Sequence, residues 1–284
     1  MPAPIINRCL KPEQMERMVD FGFLVKTVRA SDGELDLSFR DNRFTIYFAG
    51  NVLATVAFRP NDLYRIDFQQ KFLGRTKIEM DSRVNLTPRG QYPYQDCDAK
   101  MAHVLLQQRN VGQLMRGIRE VNNGEEITYE QFIMGDTPPT KKFFIIDRQV
   151  TDRVLRLKRM DLLGLKRLGD GTYGFVVIEI KLGKNAELSG KVADQLQFYV
   201  DHLSTPDVLE AYATCYEEVY RQKRKLGLYP DKMPKRITIA RTAPEGLIVS
   251  CGYARKAKKQ IKELLREHPS LQTIQMNNNL ANHL

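Results

Sequence analysis

The chain has 284 residues, 42% hydrophobic and 27% charged, which is typical of a soluble globular protein with one large or two smaller domains. The formal net charge of +10 suits a polyanionic partner, because Lys and Arg neutralise phosphates and release their counterions. No apolar run approaches the roughly 20 residues of a membrane helix, and the N-terminus lacks a signal-peptide pattern. Four scattered Cys without a CxxC pair exclude a zinc ribbon, so we expect a cytoplasmic protein with free thiols.

Residues 1–97 predict a β-meander module at the N-terminus. A short helix over residues 12–20 precedes runs of alternating apolar and polar residues, which are typical of half-buried strands. These runs cover residues 35–39, 44–48, 52–58 and 63–68, with turn signals between them. The loop-rich segment 86–96 marks the expected domain boundary, and the sequence leaves open whether the module selects substrate or mediates dimerisation.

Residues 98–265 predict a second domain of mixed α/β class. Apolar spacing indicates a helix over 98–121, ended by Asn122-Asn123-Gly124, and a short helix over 127–134. The later elements are expected in the order strands 143–150, 156–165 and 174–182, helices 188–203 and 210–225, strands 236–240 and 246–252, and a basic helix 255–268. This order predicts a mixed sheet with helices on its faces, and residues 266–284 are expected to form a polar, frayed tail.

Two of the predicted strands carry ionisable residues inside apolar runs. Asp161 precedes Leu-Leu-Gly-Leu, while Glu179 and Lys181 stand within the run VVIEIKL. Strands that are apolar on both faces are buried, where a carboxylate or ammonium group is costly unless it is paired or bound to metal. Side chains two residues apart on a strand share a face, so Glu179 and Lys181 are expected to project together, with Ile180 opposite.

The segment Gly169-Asp170-Gly171 is typical of a hairpin turn between these two strands. A hairpin symmetric about Asp170 would oppose Asp161 and Glu179, with Cβ atoms roughly 4.5–5.5 Å apart. Two carboxylates this close repel unless a cation lies between them, and Mg²⁺ binds carboxylates while keeping waters for a phosphate. A register slip of one residue would put the two carboxylates on opposite faces.

An Asp, a hairpin and then Glu-x-Lys in an apolar strand resembles the PD-(D/E)XK nuclease superfamily. Gln195 and Tyr199 on the next helix resemble the Q-x-x-x-Y motif of its RecB-like branch. The resemblance covers roughly residues 98–265, and Met160 stands where the superfamily has Pro before the Asp. The stretch RMDLLGL to VVIEIKLG is also similar to archaeal-type mismatch and single-strand repair endonucleases.

This resemblance implies a restriction-endonuclease-like mixed-sheet core and a metal-dependent nuclease, a hydrolase of phosphodiester bonds in DNA rather than RNA. It implies products with a 5′-phosphate and a 3′-hydroxyl. Asp161, Glu179 and the carbonyl of Ile180 would hold one or two Mg²⁺ or Mn²⁺ ions, and Lys181 would position or deprotonate the attacking water. The expected substrate contacts are Gln195, Tyr199, Arg159 and Lys184, and Glu120 is the first candidate for an additional metal-binding carboxylate on a helix.

Several assignments stay open at the level of the sequence. A structural ion pair is the alternative for Glu179 and Lys181, and core packing is the alternative for Tyr199. The competing carboxylates are Asp147 and Asp152 in place of Asp161, and Glu125, Glu126 and Glu130 in place of Glu120.

The alternative functions are a nucleic-acid-binding protein of the same fold whose catalysis has lapsed, and a non-nuclease interaction module whose charge serves solubility. For a nuclease, the sequence decides neither endonuclease against exonuclease action, nor a homodimer against a monomer. It also leaves DNA repair, restriction and phage defence open as pathways.

Overall fold

A computed structural model describes residues 8–74, 76, 78, 87–88, 90–121, 124–137, 140–155, 158–169 and 171–276. The described chain divides into two compact units. The N-terminal unit contains residues 8–127 and 221–231, and the C-terminal unit contains residues 128–220 and 232–276. The predicted turn residues Asn122, Asn123 and Asp170, and the last part of the predicted tail, lie outside the described residues.

The N-terminal unit is built on a five-stranded antiparallel sheet in the order β1-β2-β3-β4-β5, which is a meander. Its strands are β1 Leu35–Arg40, β2 Arg43–Phe48, β3 Asn51–Phe58, β4 Tyr64–Gln69 and β5 Gln91–Cys97. Aromatic rings fill its core, where Phe21 packs edge-on against Phe44 and Tyr64 at centroid distances of 4.9 and 4.8 Å. The β-rich N-terminal module is therefore confirmed as a β-meander.

Helices cover this sheet, and they differ from the sequence prediction in number and in length, with two of them in segments for which no helix is predicted. The helices of the unit include α1 Pro12–Arg17, α2 Gly22–Arg29, α3 Gln70–Leu73, α4 Ala99–Leu106 and α5 Gln108–Val121. The helix predicted over 98–121 is two helices, because the chain is extended at Gln107 and Asn110 donates to the carbonyls of Val104 and Leu105. The structure places the division between the units after residue 127 rather than 97, since α5 packs on α3 and β3.

The C-terminal unit is of mixed α/β class and holds one mixed sheet. Helix α6 Glu125–Asp136 leads into strands β6 Phe143–Val150, β7 Met160–Arg167 and β8 Thr172–Leu182. Then follow a 3-10 turn Ala186–Ser189, α7 Lys191–Ser204, α8 Pro206–Lys225, β9 Thr238–Ile239, β10 Glu245–Cys251, α9 Ala254–Glu267 and β11 Gln272–Met276. The main sheet order is β11-β10-β8-β7-β6, with β9 paired beside β8; β6, β7 and β8 are antiparallel neighbours, and β10 runs parallel to β8.

Three segments depart from their predicted state. Residues 91–97, expected to be a loop, form β5 and pair with β4 despite Pro93. The predicted polar tail contributes β11, a short polar edge strand parallel to β10, and the strand predicted over 236–240 shrinks to β9. Among the described helices, none has the length and apolar character needed to cross a bilayer.

Two glycines on α5 differ in the space available for a Cβ atom, and this difference gives a test of the packing of this helix. A Cβ at Gly117 would lie 2.7 Å from the carbonyl oxygen of Phe72, so the backbone of α3 would have to move. We expect Gly117→Ala to lower the free energy of unfolding by about 1–3 kcal/mol. Gly112 has no atom within 4 Å of its Cβ position, so Gly112→Ala should raise that free energy by about 0.5–1 kcal/mol through helix propensity.

Urea unfolding of both variants beside the wild type measures this difference. Equal effects of the two substitutions would contradict the close packing of α5 on α3.

Candidate active site

The hairpin between β7 and β8 has the predicted register. Leu162 pairs with Ile178, Leu163 with Val177 and Gly164 with Val176, so each pair is symmetric about position 170. One further step of this register, beyond the last paired residues, would set Asp161 opposite Glu179; the observed contact is the Ile180 amide donating to Asp161 Oδ2. The predicted hairpin register is thus confirmed for residues 162–167 of β7, and Asp161 and Glu179 lie just beyond these pairs.

The two faces of β8 differ in character. Val176, Ile178, Ile180 and Leu182 belong to an apolar cluster with Ile133 of α6. Glu179 and Lys181 alternate with these residues and therefore lie on the other face, the one that α7 covers.

Short contacts tie the three predicted catalytic side chains together. The Ile180 amide donates to Asp161 Oδ2 at 2.9 Å, which holds the Asp161 carboxylate against β8. Lys181 Nζ donates to Glu179 Oε2 at 3.2 Å and forms a second ion pair with Glu187 at 3.5 Å. The amine therefore lies between one carboxylate that is fully buried and one that is 46% exposed.

Burial strongly affects the protonation of Glu179. Its pKa is raised well above the ordinary carboxyl range, first by burial and then by the negative charge of Asp161, while Lys181 opposes the rise. Glu179 Oε1 has no hydrogen-bond donor among the described residues. A buried carboxylate oxygen without a donor, beside a second carboxylate, is the environment that a cation would stabilise.

A divalent ion at Asp161 and Glu179 would have few protein ligands. Within the described residues, no group of three or more His, Cys, Asp and Glu side chains could hold a metal ion. Mg²⁺ commonly uses one or two carboxylates and keeps several waters, so Asp161 and Glu179 suffice as its side-chain ligands. Ile180 follows Glu179 on β8 and its amide contacts Asp161, while its side chain lies on the opposite face.

An open cavity of about 530 Å³ adjoins Asp161 in the same unit. Of the residues predicted to contact substrate, Arg159, Gln195 and Tyr199 line it. Lys184 is not among the lining residues; its amine donates to the Tyr253 hydroxyl at 2.9 Å.

The Gln195–Tyr199 pair connects α7 to the start of β7. Gln195 Nε2 donates to the Tyr199 hydroxyl oxygen at 3.3 Å, and that hydroxyl donates to the Arg159 carbonyl at 2.9 Å. The pKa of Tyr199 is raised, first by burial, with the charges of Glu179 and Asp161 adding to the rise. Tyr199 thus keeps its proton, and it fixes the backbone two residues before Asp161.

The helix carboxylate beside the site is Glu130, and Glu120 belongs to the other unit with an exposed side chain. Glu130 accepts from Arg148 at 2.8 Å and from Gln149 at 2.8 Å. Its pKa is raised to about 7, chiefly by burial, and the charge of Asp161 contributes to that rise. The sequence favours Glu120 by its place near the end of the helix predicted over 98–121, but helix periodicity alone does not tell which helix packs beside β7 and β8.

The two rival aspartates are satisfied by protein donors. Asp147 accepts from the Arg148 amide and from the Tyr216 hydroxyl. Asp152 accepts from the Val154 and Leu155 amides, the Tyr212 hydroxyl and the His202 ring. These contacts give both residues a structural role and leave Asp161 as the carboxylate beside Glu179.

Sequence reasoning passed over some residues of this site. Arg148 is fully buried in strand β6, and a charged residue within the apolar run FFIIDRQV was the same signal that singled out Glu179. Glu187 and Phe198 carry no such signal, because a charged residue in the loop-like stretch GKNAELS and an aromatic residue in the helical run QLQFYV are both ordinary in those positions.

The repulsion between the carboxylates predicts a pH-dependent effect of Glu179→Gln on stability. Because the folded-state pKa of Glu179 is raised, the metal-free wild type loses stability as pH rises from the ordinary carboxyl range through that raised pKa. Glutamine does not titrate, so we expect Glu179→Gln to be the more stable protein in EDTA at high pH, by on the order of 1–3 kcal/mol. Its advantage should shrink as pH falls.

Thermal unfolding of both proteins in EDTA across this pH range measures the effect. Glu187→Gln is the matched control, since it removes the half-exposed partner of Lys181. A Glu179→Gln variant less stable than wild type at every pH would contradict the electrostatics described above.

Comparison of the chain with protein-family models, curated proteins and solved structures finds no match. A function for the chain therefore has to be argued from the chemistry of Asp161, Glu179 and Lys181 and from the cavity beside them.

Proposed function

We propose that this chain is a metal-dependent nuclease that hydrolyses phosphodiester bonds, in DNA rather than RNA. One observation carries the proposal. The Asp161 carboxylate is held on β8 beside the buried Glu179 carboxylate, and Lys181 extends from the same face of that strand. A structural ion pair alone would need only one carboxylate for one amine, and the second carboxylate raises the cost of burial.

Asp161 and Glu179 would hold Mg²⁺ or Mn²⁺, with the Ile180 carbonyl as a further oxygen ligand. Such an ion supplies Lewis acidity at the phosphate and lowers the pKa of bound water. The chain itself contributes the fixed direction of both carboxylates, because the Ile180 amide and the Lys181 amine each hold one of them. This arrangement keeps the side chains in place before any ligand arrives.

Lys181 is the third member of the proposed centre. Its side chain is 9% exposed, so its charge acts in a poorly solvated place where electrostatic effects are large. An ammonium group beside the scissile phosphate would stabilise negative charge that develops in the transition state and would orient the attacking water. Its second ion pair, with Glu187, keeps the amine on the side of the cavity.

The order of elements supports the same proposal. Helix α6, three antiparallel strands, helix α7 and a strand parallel to β8 are compatible with the restriction-endonuclease-like core that the sequence resemblance implies. Gln195 and Tyr199 on α7 support the RecB-like branch, since they anchor the strand that carries Asp161. Hydrolysis in this superfamily implies 5′-phosphate and 3′-hydroxyl products.

Cleavage assays with plasmid and single-stranded DNA test the proposal directly. We expect cutting with Mg²⁺ or Mn²⁺ and none with EDTA. Lys181→Met and Glu179→Gln should each reduce the rate at least about 100-fold, because each removes a group that stabilises the transition state. Lys166→Met is the matched control, since Lys166 is an exposed lysine paired with Glu245 elsewhere on the sheet.

Cutting that persists in Lys181→Met would indicate a contaminant or a different site. Binding of DNA without cutting would support a lapsed enzyme, and neither activity would support an interaction module.

Metal binding should also release a proton. Burial and the charge of Asp161 raise the pKa of Glu179, which favours the protonated carboxyl in the metal-free protein, whereas coordination requires the carboxylate. Calorimetric titration of Mg²⁺ at pH 7 in buffers of different ionisation enthalpy should therefore detect about one released proton for the wild type and none for Glu179→Gln. A binding enthalpy that does not vary with the buffer would contradict this prediction.

A further inference from the structure

The cavity beside Asp161 has an aromatic ring in its wall that the proposed chemistry does not use. Phe198 lines the cavity and is 39% exposed, whereas the adjacent Tyr199 is 1% exposed. Removing the exposed part of a phenyl ring from water is favourable, so a ligand that covered it would gain binding free energy. An exposed ring next to the candidate catalytic residues is a feature that points to a ligand.

The ring of Phe198 is held by Tyr199, and an ammonium group contacts one of its faces. Tyr199, which is fixed by its hydrogen bond to Arg159, packs edge-on against Phe198 at a centroid distance of 5.7 Å. The Lys158 ammonium lies 3.9 Å from the centre of the Phe198 ring. A base that stacked on this face would take the place of the ammonium group of Lys158, whose side chain is exposed.

Positive charge surrounds the ring. Lys158, Arg159 and Lys191 all line the cavity and all have exposed side chains. Asp161 and Glu187 also line it, so negative charge lies toward the proposed metal site. Cations near an exposed ring, beside a phosphodiester-cutting centre, match the two parts of a nucleotide: its phosphate and its base.

We propose that Phe198 is a stacking platform for an unpaired base, and that the site therefore takes single-stranded nucleic acid or an unpaired end. Both faces of a base inside a duplex are covered by its neighbours, so an aromatic side chain reaches only a base that has left the stack. The cavity volume of about 530 Å³ is in the range of sites for one small ligand. This inference deepens the proposed function and rests on it for the identity of the substrate.

Binding measured without metal tests the platform separately from catalysis. In EDTA, the anisotropy of a labelled oligonucleotide reports binding of the single strand and of its duplex. We expect Phe198→Leu to weaken single-strand binding about 10–100-fold, the usual effect of losing one stacked base, and to leave duplex binding unchanged. Phe198→Trp should retain the affinity, because it keeps a flat ring.

Phe132→Leu is the matched control, since Phe132 is a 55% exposed Phe of α6 that is not among the residues lining the cavity. Thermal unfolding checks that each variant is folded. A series of single abasic substitutions along the oligonucleotide adds a second readout. At the stacked position the missing base should weaken wild-type binding to the level of Phe198→Leu, with no further loss when both are combined.

The results separate failure of the platform from failure of the nuclease. Single-strand affinity that is unchanged in Phe198→Leu, or a loss that is equal for both DNA forms, would overturn the stacking proposal even if Lys181-dependent cutting is found. A Phe198-dependent preference for single strands without any cutting would support the platform while overturning the nuclease.

Discussion

The pairing of β7 with β8 is the constraint on which the candidate site depends. Its register sets Asp161 beside Glu179, and a slip of one residue would turn one of the carboxylates to the opposite face of the sheet. The apolar residues on the other face prevent that slip, because Ile178 and Ile180 would leave their cluster with Ile133. The hydrophobic packing of one face thus fixes the positions of the ionisable side chains on the other.

Contacts from two further elements hold the start of β7, the strand that carries Asp161. Tyr199 binds the backbone carbonyl of Arg159, and the buried Arg148–Glu130 ion pair joins β6, the neighbour of β7, to α6. Gln149 donates to Glu130 and also lines the cavity, so it connects this pair with the site. Removing either partner of a buried ion pair leaves an uncompensated charge, so loss of Arg148 or of Glu130 would destabilise the contact between β6 and α6.

The local parts of this arrangement were predictable from the sequence, and the non-local parts were not. The hairpin, its register and the shared face of Glu179 and Lys181 follow from strand alternation and a turn signal within 21 residues. Strand β11 was missed because a polar edge strand lacks an apolar pattern, and β5 was missed because Tyr-Pro-Tyr is typical of a loop. Glu130 could not be chosen over Glu120, since the choice depends on which helix packs in which unit.

Two adjacent aromatic residues of helix α7 lie in different environments. Neighbours on a helix point about 100° apart, so Tyr199 is buried and positions the backbone before Asp161, while Phe198 is open to the cavity. Because one helix carries both rings, the distance from the proposed stacking surface to Asp161 and Glu179 is set by the packing of α7 on β8 and β10. In the proposed nuclease, substrate selection and bond cleavage would then be coupled through the position of a single helix.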